Sequence, residues 1–266
     1  MAALSSSDSS IDLVRDWNPA IFQETGATVD QYLVEDLADL VIDYLFGPQR
    51  FGQAAYFHFF KGINSMSPEP KIPRALILFW NQLDPIDPTQ QVWQTHFPPV
   101  LCPQFVNEEP FNLRVLGTLV QNPQNGGHAS GYVYQSTALD QCQNIPVESS
   151  NWLVLRKEVW PHDSQNYWQR FAMIQNLHVD YELDNSGLHL ATVLFTRYVE
   201  TGEQLPNTSP IRCKETVDFS YLPHRQQLPI NIFPLVVGSG IGTNGLLGVG
   251  HGRWDSPMSI ATLRKF

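Results

Sequence analysis

Charge is scarce in this 266-residue chain: Asp, Glu, Lys and Arg make up only 16% of it, against roughly 25% in ordinary globular domains. What charge there is leans acidic, with 16 Lys and Arg against 26 Asp and Glu and a formal net charge of −10. No basic run offsets that balance, so the average surface repels phosphate backbones and a nucleic-acid partner is excluded. Long apolar runs are also missing. Nothing approaches the ~20 residues of a membrane-spanning helix, and residues 1–10 carry neither the basic cluster nor the apolar stretch of a secretory signal. Cysteine is sparse and odd in number: Cys102, Cys142 and Cys213 are widely spaced and form no C-x-x-C pair. That pattern suits reduced thiols and argues against a disulfide frame or a zinc site. The expectation is a cytoplasmic protein with no metal, no organic cofactor and no membrane partner.

Motifs that announce catalysis are absent as well. The sequence has no G-x-S-x-G, no H-E-x-x-H and no phosphate-binding loop. A formal G-x-G-x-x-G runs from Gly240 to Gly245. The dinucleotide fingerprint needs a following helix, a second parallel strand and an acidic residue about 20 positions on, and too little chain remains for them. A glycine-rich loop, continuing through Gly248, Gly250 and Gly252, fits better.

What is present begins with composition. Apolar residues make up 42% of the chain, enough for a packed core, and Pro, Asn, Gln and Ser take the place of the missing charge. Residues 1–27 read as an N-terminal tail, and residues 28–266 as a single β-rich domain opening with a helical segment over about 28–62. Thr28 and Gln31 form a capping box, and Leu33, Leu37, Leu40, Val41 and Tyr44 share one stripe before Gly47 and Pro48 end the helix. A shorter helix is expected over 54–61. From there extended segments recur: 75–80, a hairpin of 111–120 with 128–135, then 152–160. A second hairpin pairs 176–184 with 188–198, and 213–221 and 230–237 follow. No 20- to 50-residue period and no strand–helix alternation appears. The fold class is mainly β, α+β by count: an antiparallel barrel or sandwich with an N-terminal amphipathic helix packed on it.

Two constellations could carry chemistry. On the strand 152–160, Trp152, Arg156, Glu158 and Trp160 share one face, so the Trp rings could cover an apolar ligand that Arg156 orients. In the expected second hairpin, His178, Asp180 and Glu182 point one way and face His189 across the ladder, a set able to act as acid and base. Both faces can also be ordinary solvated or rim surface, since charged side chains mostly stay wet. His251, Arg253, Trp254 and Asp255 cluster after the glycine-rich loop, where interfaces and sites are both common. Catalytic candidates are therefore Arg156, Glu158, His178 and Glu182; ligand-binding candidates are Trp152, Trp160, Trp254 and His251. The expected function is binding of an apolar or aromatic small molecule in a β-barrel cavity, with cofactor-free cyclisation, isomerisation or lyase chemistry open. The alternative is a viral or particle coat subunit with a jelly-roll sandwich, and self-association into a homo-oligomer is compatible with either.

Overall fold

A computed structural model describes residues 50–130, 133–134, 141–158, 172, 175–176, 181, 186–203, 210–218, 232–238, 248–251 and 261–266. The expected capped helix over 28–44 and the extended segment 176–184 lie outside these residues, apart from positions 176 and 181. The described chain opens with helix α1, Gln53–Phe59, matching the short helix expected over 54–61. Helices α2, Arg74–Asn81, and α3, Val92–Thr95, follow. Next come strands β1, Val100–Cys102, β2, Phe105–Val106, and β3, Glu109–Pro110. Helix α4, Leu113–Gln121, leads to β4, Val133–Tyr134, and β5, Asn151–Leu155. Helix α5, Gly187–Thr201, precedes β6, Ile211–Asp218, β7, Ile232–Gly238, β8, Gly248–His251, and β9, Leu263–Lys265.

The architecture is α+β, a mixture of helices and mostly antiparallel sheets, and the expected barrel is corrected: among the described residues the strands form three open sheets. β1, β5 and β9 make one, with β5 central and antiparallel to both neighbours. β2 and β3 form a small hairpin. The third sheet has the order β4-β8-β7-β6, antiparallel except where β4 runs parallel to β8. The strands expected near 152–160, 213–221 and 230–237 exist as β5, β6 and β7.

Three expected strands are helices. The apolar run 75–80 lies in α2, where Leu76, Ile77, Phe79 and Trp80 are buried while Ala75 and Leu78 face out. That spacing is one helical stripe, and a short apolar run looks the same in either conformation. Segment 111–120 becomes α4 because Asn112 caps it, its Oδ1 accepting from Val115 N at 2.9 Å. The Asn-Pro-Gln-Asn-Gly turn is real, but it follows a helix instead of closing a hairpin. Segment 188–198 lies within α5, whose alternating apolar pattern arises because nearly every side is covered. The Thr192 and Thr196 hydroxyls bond back to the carbonyls of Leu188 and Thr192, at 2.7 and 2.6 Å. Gly202, at φ 71°, supplies the left-handed residue that ends the helix, and its N–H donates to Tyr198 O at 2.8 Å.

The core is built around α5, which contacts β1 and β5 of one sheet and β6 and β7 of the other. All five residues of β5 are buried, so both of its faces are covered. Trp152, Phe195, Leu101, Leu153 and Val217 are among the residues closed off from solvent. Among the described residues no helix is long and apolar enough to cross a membrane.

Candidate functional site

Arg156 follows β5 directly and is buried, 4% exposed. Its Nε sits 3.0 Å from Asp84 Oδ2 and its Nη1 2.9 Å from Glu158 Oε2. Asp84, fully buried on the loop after α2, also accepts from Ile86 N at 2.8 Å. Burial alone would raise the Asp84 carboxyl, but the Ile86 amide, the Thr95 hydroxyl and the Arg156 guanidinium together hold it below the ordinary aspartate value. Beside this pair His96 is closed off from solvent. Its Nδ1 lies 3.0 Å from Val92 O, a group that can only accept, so Nδ1 carries the proton. Nε2 then accepts from the Tyr181 hydroxyl at 3.0 Å. Phe79 meets both rings edge-on, and the Arg264 guanidinium covers Phe79 and Phe266 at 4.6 and 4.9 Å. Burial pushes the His96 pKa down to about 4 despite the nearby Asp84 charge, and raises that of Tyr181.

The structure places Arg156, expected to orient a ligand, in this cluster. Its guanidinium pairs with buried Asp84 and with Glu158 at the surface. Trp152 is likewise a core residue, its Nε1 donating to Pro70 O at 2.9 Å. Glu158 is 81% exposed on its side chain. His178, Glu182, Trp160 and Trp254 lie outside the described residues, and His251 ends β8 opposite Leu235. The ladder expected to set His189 against Glu182 does not form, because His189 stands in the first turn of α5.

That turn borders a cavity of about 260 Å³ at the seam between the two larger sheets. Asn151 of β5 and Lys265 of β9 contribute from one sheet, Lys214 and Glu215 of β6 and Leu235 of β7 from the other. The first residues of α5, with Ser186 before them, close one side. Leu113 and the segment Cys142 to Glu148 close another. Neighbouring residues of a regular strand point to opposite faces, yet Lys214 and Glu215 both line this space. The register of β6 against β7 shifts between Arg212 and Thr216, a bulge that re-aims one of the two.

Glu215 fixes the wall. Its Oε2 accepts the N–H of Gly187 at 2.9 Å, satisfying an otherwise unpaired donor at the start of α5. A Cβ at Gly187 would meet the end of the Leu235 side chain, Cδ2, at 2.5 Å, so any larger residue there requires Leu235 to move. Asn151 is held by its Nδ2, which donates to the Ser149 carbonyl. Cys142 offers no nucleophile: burial, then the charge of Glu215, pushes its thiol up to about 11, so it stays protonated at neutral pH.

Trp152, the expected ligand-binding residue whose side chain is described, is not among those lining this cavity, whereas His189, singled out for a different face, is. One readable sign was Glu215 itself. It shares the alternation of Ile211, Cys213 and Val217, the buried positions of β6, and a carboxylate on a dry face calls for a partner. Lys265, Asn151 and Lys214 carry no such sign, because the seam joins strands that are not neighbours in the sequence. Comparison with protein families, curated proteins and solved structures finds no match for this chain.

Proposed function

We propose that the chain binds a small amphipathic molecule in the cavity between its two larger sheets. The supporting observation is the cavity itself, about 260 Å³ with a mixed lining: Leu113, Val147, Leu188 and Leu235 beside Lys214, Glu215, Asn151 and Lys265. Small-molecule sites typically combine mainly apolar walls with a few fixed polar groups, over volumes of roughly 300–1,000 Å³, so this one suits a small occupant. At protein packing density it holds roughly a dozen non-hydrogen atoms. Its described wall contains no Phe, Tyr or Trp, which favours an aliphatic body over the aromatic ligand suggested by the tryptophan-flanked strand.

Ligand-observed NMR with a mixture of small fragments tests the reading, using the full chain and an Ile145→Trp variant. Ile145 lines the cavity and is 48% exposed, so a larger ring there blocks the space without straining the core. Fragments should bind the parent chain and lose contact with the variant. Identical binding to both, or none to the parent chain, would refute the proposal.

A further inference from the structure

Resting on that reading, we infer that the occupant is a zwitterion with a branched aliphatic body, the chemistry of a free aliphatic amino acid. The cavity wall carries Lys214 and Lys265 together with Glu148 and Glu215. A monoanion placed among them would gain two ammonium groups but face two carboxylates, and a monocation would meet the reverse. A ligand bearing both charges satisfies both sets, and like-charge juxtaposition penalises ligands with one sign alone. The placement is compatible with that division. Lys265 is on β9 of one sheet while Glu215 is on β6 of the other, so this cation and this anion belong to different walls, with Lys214 beside Glu215 on β6. The bond from Gly187 N occupies Glu215 Oε2 and fixes the carboxylate, leaving Oε1 to receive an ammonium group. Leu113, Leu188 and Leu235 supply surface for an aliphatic side chain, and a dozen atoms is the right scale for one amino acid.

Titration calorimetry separates the charges. Leucine should bind, while 4-methylpentanoate, which lacks the ammonium, and 3-methylbutylamine, which lacks the carboxylate, should each bind at least about tenfold more weakly. Lys265→Gln should weaken leucine about tenfold and should not weaken 3-methylbutylamine. Glu148→Gln should spare 4-methylpentanoate while weakening leucine. Both replaced side chains are exposed, and an unchanged thermal melt confirms that each variant folds. If either singly charged analogue binds as tightly as leucine, or leucine fails while Ile145→Trp-sensitive fragments still bind, the zwitterion is wrong and the cavity reading stands. If neither leucine nor any fragment binds, both proposals fall.

Discussion

With Nδ1–H bonded to the Val92 carbonyl and Nε2 accepting from Tyr181, the His96 ring is neutral in the folded chain. Its pKa, pushed down to about 4 by burial, lies below the ordinary 6.5. As pH falls the unfolded chain therefore takes up this proton first, and stability that is intact above pH 6.5 is lost progressively toward pH 4. The shift corresponds to about 3 kcal/mol over that window. Urea midpoints measured from pH 7 to 4.5 should drop accordingly, and His96→Gln should flatten the profile. A parent profile as flat as the variant's would contradict the buried neutral ring. Asp84, held below its ordinary 3.8, acts in a separate and more acid window, its contribution present above that value and lost below it. The same cluster ranks its two ion pairs. Asp84→Ala strands a buried guanidinium and should cost about 3–5 kcal/mol in chemical denaturation. Glu158→Ala, at the exposed partner, should stay within the ~0–1 kcal/mol of surface pairs. Equal losses would mean that exposure does not govern the pairing.

Elements were legible where one face is wet or the ends are chemically marked. β6 alternates because its outer residues are exposed, and α1 sits in a run of aromatic and small residues that no turn residue interrupts. α5 was not legible as a helix because burial covers its polar and apolar positions alike, whereas α2 and α4 each bury one stripe but are too short for an apolar run to be told from a strand. Asn112 was the overlooked mark, a capping side chain two residues inside a segment that reads as a strand. Asn112→Ala should lower thermal stability by about 1 kcal/mol, whereas Asn112→Asp, which keeps the acceptor, should lower it less. A loss that is the same in both variants would place the cost in something other than the cap.

At the scale of the molecule, the site was hidden because it belongs to the seam. Asn151, Glu215 and Lys265 come together through two sheets whose strand orders, β1-β5-β9 and β4-β8-β7-β6, cannot be read from local pattern. Asp84 and Arg156 meet across 72 positions for the same reason. What joins the two sheets is α5. It packs on β1 and β5 on one side and on β6 and β7 on the other, and its first residues form the cavity wall that Glu215 pins through Gly187. A helix so placed cannot open without separating both sheets. The amides of Leu190 to Phe195 should therefore exchange with solvent only through global unfolding, with an opening free energy equal to that from denaturant titration. The helix α2 should open at lower free energy, because Ala75 and Leu78 face solvent along it. Native-state hydrogen exchange at increasing denaturant measures both. If the central amides of α5 exchange through an opening cheaper than global unfolding, the two sheets hold together without α5 between them.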